Sequence, residues 1–210
     1  MVVRATEDLA PDTEITTWYV GPGNGVQENL KQWNFACTCA ICEDEKNTEA
    51  ATGTLREKLL KQLKDTVKAS SGPLIDLDKA DGLLQKLHNT YSRSMIEVPR
   101  LSLWGPHIML TRLYLPRKNI AKALESLKMG FTALGFTVVG MDHTLTVFKV
   151  LKWGLPVDDL VEAFKVAQIA FERIGAWDNA RAAMQYAKTA YKMVIGEDAT
   201  FEKWYGELGI

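Results

Sequence analysis

From residue 54 onward, apolar side chains recur every three or four positions, the spacing that places them on one face of a helix. Leu55, Leu59, Leu60, Leu63 and Val67 form one such stripe. Thr54 with Glu57 three positions later reads as a capping box that opens this helix. Ser70-Ser71-Gly72-Pro73 then ends it. Asp76 caps a second helix whose apolar face carries Leu77, Ala80, Leu83, Leu84 and Leu87. Beyond Pro99 the periodic stretches come in pairs. Residues 101–115 and 120–134 flank Pro116, and residues 157–174 and 177–195 flank Gly175. A weaker helical stretch is read over 144–151, and a last short helix over 200–208.

The first 45 residues have a different pattern. Val2-Val3-Arg4-Ala5 is a short β-prone run, and Ala10-Pro11-Asp12-Thr13 is a turn signal. Residues 14–20, Glu-Ile-Thr-Thr-Trp-Tyr-Val, are rich in β-branched and aromatic side chains and predict a strand. Gly21-Pro22-Gly23-Asn24-Gly25 is a tight loop. A phosphate cradle would need Gly-Lys-Ser/Thr opening a helix, and none follows. Residues 27–33 predict a short helix ahead of three clustered cysteines. Polar residues 43–53 read as a linker. The expected organisation is a front segment over 1–45, a linker over 46–53 and a helical domain over 54–210.

The paired helices carry small residues beside large ones: Ala121, Ala123 and Leu124 in one, Ala180, Ala183, Tyr186 and Ala187 in another. Small residues let neighbouring helices approach closely, so that stacked pairs bury a continuous core. The arrangement is similar to a tetratricopeptide (TPR) array, with a loose match to its 34-residue consensus. The expected fold class is mainly α, a TPR-like helical array preceded by a small β/zinc-binding segment.

Composition narrows the function classes. Hydrophobic residues make up 47% and charged residues 24% of 210 residues, which suits a packed globular chain. Basic and acidic residues nearly balance, 25 against 26, so no excess of either charge points to nucleic acid or to a strongly charged partner. No apolar run reaches the ~18–20 residues of a membrane span. Acidic residues at Glu7 and Asp8 argue against a secretory leader. An intracellular protein of the nucleus or cytoplasm is expected.

Cys37-Thr38-Cys39-Ala40-Ile41-Cys42 places three cysteines within six positions. In a reducing compartment such a cluster predicts a metal site rather than a disulfide framework. A two-residue gap lets a tight turn bring two sulfurs onto one ion, and the one-residue gap adds a third. Tetrahedral zinc wants four ligands. Asp44, Glu43 or one of the histidines, His88, His107 or His143, could supply the fourth, and the spacing selects none of them.

The residues around the cluster carry a resemblance. Trp33-Asn34-Phe35-Ala36-Cys37-Thr38-Cys39-Ala40-Ile41-Cys42 resembles the post-SET segment of SET-domain methyltransferases, an aromatic-x-Phe-x-Cys-x-Cys-x-x-Cys run. Residues 5–19 resemble the end of the SET core, Ala-x-x-Asp-Ile/Leu-x-x-Gly-Glu-Glu-Leu-Thr-x-x-Tyr, with Thr13 where glycine is usual. The two patterns occur in the family's order. A helical carboxyl half after them is similar to the SMYD class (SET domain plus MYND finger) and related SET–TPR proteins.

The resemblance implies roles. Tyr19 matches the tyrosine that lines the lysine channel and helps align or deprotonate the attacking amine. Phe35 matches an aromatic that packs near the adenine of S-adenosylmethionine. Cys37, Cys39 and Cys42 match three zinc ligands, the family's fourth being a cysteine near an upstream Asn-His motif. That motif and the family's glycine-rich cofactor segment are absent from these residues. The chain is therefore expected to begin partway through a domain, as a truncated gene, a fragment or a degenerate paralogue, and to be inactive alone. Two functions are expected to compete. One is the carboxyl-terminal part of an S-adenosylmethionine-dependent protein-lysine methyltransferase with zinc. The other is a non-catalytic TPR-like module that binds a protein or peptide, with neither nucleic acid nor membrane as partner.

Overall fold

A computed structural model of the chain describes residues 10–12, 29–34, 36–68, 75–141, 147–197 and 199–205. The readings of a strand over 14–20, a glycine loop over 21–25 and a helix stop over 70–73, and those placed on Tyr19, Phe35 and His143, fall outside these residues. The turn signal after Ala10 is present as a turn at Pro11 and Asp12. The short helix ahead of the cysteines ends in a 3-10 turn over Lys31–Trp33, which Asn34 closes through its N–H to Lys31 O at 3.0 Å.

The chain is mainly helical. In order come α1 (Ala40–Lys46), α2 (Ala50–Lys68), α3 (Leu77–His88), α4 (Leu101–Tyr114), α5 (Ile120–Ala133), strands β1 (Thr137–Val139) and β2 (Lys149–Lys152), α6 (Leu160–Arg173), α7 (Trp177–Ile195) and α8 (Phe201–Tyr205). It forms two compact units. One comprises Glu14–Pro106, and the other comprises His107–Ile210 together with residues 10–12.

In the first unit, α2 and α3 pack together through Leu59 and Leu63 of one and Ala80, Leu84 and Leu87 of the other, all buried. Asp76 caps α3 as expected, its carboxylate accepting from Lys79 N–H at 2.9 Å. Three expectations change here. In the stretch read as linker, Lys46 ends α1 and residues 50–53 form the first turn of α2, with 47–49 joining the two helices. Thr54 does not cap α2. It sits one turn in, and its hydroxyl donates to Ala50 O at 3.0 Å, a local bond that a polar β-branched residue makes inside a helix. Leu55 faces solvent, because starting the helix at Ala50 leaves Leu59 and Leu63 to carry the buried face.

The second unit is built on an aromatic core. Phe131, Phe148, Phe164 and Phe171 are fully buried, with Phe136, Trp153 and Tyr186 around them. The Phe131 and Phe164 rings stack at 4.7 Å between centroids, while Phe148 and Tyr186 meet edge to face at 5.4 Å. These are the offset and perpendicular arrangements that aromatic quadrupoles favour. Helices α6 and α7 pack together, and Ala163, Ala167 and Ala170 lie buried, as do Ala180, Ala183, Ala187 and Ala190. Gly175 makes the turn between them at φ +73°, a conformation open to glycine at little cost. Of the small residues expected at helix contacts, Ala123 is buried but Ala121 is exposed.

The weak helical reading over 144–151 is overturned where it is described, at 147–151, while 144–146 fall outside the described residues. Residues 149–152 form β2, which pairs antiparallel with β1, Val138 opposite Val150. The β-branched residues Thr137, Val138, Val139 and Val150 suit a pleated, half-buried ladder. Asn179 of α7 fastens this hairpin, accepting from Phe148 N–H at 3.1 Å and donating to Gly140 O at 3.3 Å. Gly154 follows β2 where no side chain fits. A Cβ there would lie 2.4 Å from Leu134 O and 2.4 Å from a Phe136 ring carbon. Gly154→Ala is expected to destabilise the chain by about 1–3 kcal/mol through overpacking. Urea unfolding checks this, and an unchanged midpoint would contradict it.

Candidate metal centre

The three cysteines converge. The sulfurs of Cys37, Cys39 and Cys42 lie within 4.8 Å of one another, and no disulfide joins them. Local structure brings this about. Cys39 is extended at the N-cap of α1, with φ −66° and ψ 158°, and Cys42 lies in that helix's first turn. The i to i+3 spacing turns both side chains to one side. Cys37 comes in from the segment before the helix. Beneath the site, Cys42 and Leu30 are buried together and Cys37 packs against them.

The thiol chemistry differs across the trio. Burial pushes the Cys42 thiol up to about 12, and the neighbouring Cys37 and Cys39 sulfurs push in the same direction through hydrogen bonds and charge. At Cys39 burial also raises the pKa. It is outweighed by the Cys42 backbone N–H, the Cys37 and Cys42 thiols and the Ile41 N–H, so this thiol sits below its ordinary value. Backbone N–H groups that face a sulfur favour its thiolate. Three thiolates this close repel one another unless a cation neutralises them. Zinc–sulfur bonds of about 2.3 Å in a tetrahedron put sulfurs about 3.8 Å apart, a small contraction from the observed spread. The donor set therefore fits a soft or borderline cation such as zinc.

Among the described residues the group contains three ligands and no fourth. Asp44, one of the candidates for that place, is engaged elsewhere. Its carboxylate takes both terminal nitrogens of Arg100, one contact very short and the other, from Nη2 to Oδ1, at 3.1 Å. The pair is buried, with side-chain exposures of 4% for Arg100 and 9% for Asp44. His107 belongs to the other unit, where its ring Nδ1 lies 3.3 Å from Ser126 Oγ in a buried contact between α4 and α5. His88 ends α3, and burial holds its pKa below the ordinary histidine value. Glu43 lies on α1 and does not join the cluster.

The Arg100–Asp44 pair is the feature of this region that sequence reading misses. Arg100 Nη2 also donates to Arg93 O at 3.2 Å. Its guanidinium lies over the Tyr91 ring at 4.6 Å, and that of Arg56 lies over the same ring at 3.7 Å. Arg56 donates to Thr90 O at 2.9 Å and to Thr90 Oγ1 at 3.1 Å. Helix α1, which holds Cys42 and is capped by Cys39, is thus tied to the segment ahead of α4. No periodicity or motif marks a pair 56 positions apart.

The chain is similar to a Gibberella zeae protein named "Methyltransferase", with 29% identity over 210 residues. The match covers 95% of this chain and 28% of that protein, so the chain spans little more than a quarter of its relative's length. No family model matches the chain. No solved structure matches it. Among the described residues, no helix is long and apolar enough to cross a membrane.

Asp44→Ala is expected to cost about 3–5 kcal/mol, because it strands the Arg100 charge in a buried site. Combining it with Arg100→Met should recover a large part of that loss. Denaturant unfolding of the single and double variants checks this, and additive losses would contradict it.

Proposed function

We propose that this chain is the post-SET and carboxyl-terminal helical part of a SET-type protein-lysine methyltransferase. In this reading Cys37, Cys39 and Cys42 hold a structural zinc. The observation that carries it is the convergence of the three sulfurs in the spacing that the post-SET resemblance requires. Similarity to a protein named "Methyltransferase" along 95% of the chain supports it independently. Phe35, two positions before Cys37 in the sequence, is proposed to pack near the adenine of S-adenosylmethionine. Tyr19 is the proposed channel residue, its hydroxyl aligning the substrate amine. When bound, S-adenosylmethionine supplies an electrophilic methyl group. Transfer then depends on holding amine and methyl in line in a dry channel.

The 210 residues contain no Asn-His pair, and in that family such a segment contacts the cofactor. We therefore propose that the chain alone is inactive and contributes one wall of the site. A second reading, a non-catalytic module for a protein or peptide partner, is favoured by Trp177. This side chain is 60% exposed beside a hollow of about 270 Å³ on α6 and α7.

Genomic sequence upstream of the Met1 codon separates these readings. An in-frame segment with an Asn-His-Ser/Cys motif is expected, and a stop codon with no such motif would overturn the enzyme reading. Calorimetry of the purified chain with S-adenosylmethionine is expected to give no saturable heat, and tight binding would contradict inactivity. Metal analysis should find at most one zinc per chain, removable by EDTA because the described residues supply three ligands and no fourth. Cys39→Ser or Cys42→Ser should abolish retained zinc, whereas retention by both variants would rule out the cysteine site.

A further inference from the structure

The cysteine trio has an asymmetry that metal binding does not require. Cys39 is exposed, Cys37 is half-buried, and Cys42 is buried with Leu30. All three thiols are free, and their sulfurs lie within 4.8 Å of one another. A disulfide bond is about 2.05 Å long, so any pair of these sulfurs is at most about 2.8 Å from bonding distance.

The three pairings are not equivalent. Cys39 caps α1, and Cys42 lies three positions on in the first turn of that helix. Side chains three apart on a helix are neighbours, with Cβ atoms about 5–6 Å apart. A disulfide holds its Cβ atoms at about 3.5–4.5 Å, so a small shift of the capping residue closes this pair. Cys37 and Cys39 flank Thr38 outside any helix. An extended backbone puts residues two apart at about 6.6 Å between Cα atoms, the far edge of the disulfide range. Exposure then sets the order of events. An oxidant from solvent reaches Cys39 first, while the sulfur of Cys42 is shielded from solvent and close to that of Cys39.

We propose that Cys39 and Cys42 form a reversible disulfide when the chain meets hydrogen peroxide, and that its closure expels the metal. The Cys39 thiolate attacks one peroxide oxygen and the O–O bond breaks. Cys39 becomes a sulfenic acid, and the departing hydroxide takes a proton to become water. The Cys42 sulfur then attacks the Cys39 sulfur and the S–O bond breaks. In the metal-free chain the released hydroxide takes the Cys42 thiol proton as a second water. The two thiols lose two electrons in all, and one peroxide is reduced. A disulfide sulfur is no longer a thiolate, so Cys37 alone among the three stays a ligand, too few to hold zinc. A dithiol reductant reverses the bridge by exchange. Metal release rests on the zinc reading above, and the disulfide step does not.

The test treats the full chain, metal-free and zinc-loaded, with one equivalent of hydrogen peroxide and then blocks the remaining thiols with N-ethylmaleimide. Trypsin releases residues 32–46, which contain all three cysteines, and tandem mass spectrometry locates the label. The expected peptide has lost two hydrogens and carries a single maleimide, on Cys37. Dithiothreitol before blocking should restore three labels. The zinc-loaded chain should release its zinc to a chromophoric chelator as the bridge forms. Cys37→Ser should still form the bridge. Cys39→Ser should keep both of its thiols at the same peroxide dose, and serine is a favoured N-cap, so α1 is retained. A label on Cys39 or Cys42, a bridge between two chains, or three labels after peroxide would overturn the proposal. A bridge that forms while zinc is retained would overturn the release step. A metal-free chain that forms the bridge and takes up no zinc would support the disulfide step and count against the zinc reading alone.

Discussion

A guanidinium shut away from water must meet a carboxylate, and in the first unit that demand falls on Arg100 and Asp44. With 4% and 9% of their side chains exposed, neither can rely on solvent. Removing one partner alone is costly because the other charge stays behind. The pair therefore holds α1 in one position relative to the segment entering α4.

The second unit depends on volume rather than charge. Phe164 contacts Phe131, Phe136, Phe148, Trp153 and Tyr186, so five aromatic neighbours fix the position of α6. Alanines on α6 and α7 let the two backbones come close around it. The β hairpin is held from outside the sheet, by Asn179. A two-stranded ladder is marginal alone, and here a helix supplies the bonds that a third strand would give.

Helices are legible wherever local rules decide them. Asp76 caps α3 because a carboxylate can reach the N–H three residues on, and α7 runs over Trp177–Ile195 as its periodicity requires. The start of α2 is misread because Thr54 and Glu57 satisfy a capping pattern, yet the helix already begins at Ala50. Local rules cannot exclude an extra turn of helix upstream. Strand β2 is misread because its partner is a separate segment, Thr137–Val139, and an isolated apolar run does not declare what it pairs with. The metal centre is legible as a ligand set, since Cys37, Cys39 and Cys42 are close in sequence. The fate of Asp44 is not, because it depends on Arg100.

The same contrast explains why the cysteine site stays at three ligands among the described residues. Chelating spacing is a local property, and six residues are enough to turn three sulfurs inward. A fourth ligand must come from elsewhere in the chain or from a partner, which makes it a tertiary event. For Asp44 on α1, Arg100 has the stronger claim. A bidentate guanidinium contact satisfies both carboxylate oxygens with directional donors, whereas joining three thiolates would add a fourth negative charge to an already repulsive set. With Asp44 held by Arg100, an ion on the thiolates would find no fourth ligand among the described residues. The start of α1 thus gathers three sulfurs by local spacing, while two residues beyond Cys42 the same helix is closed by a buried ion pair that only tertiary structure supplies.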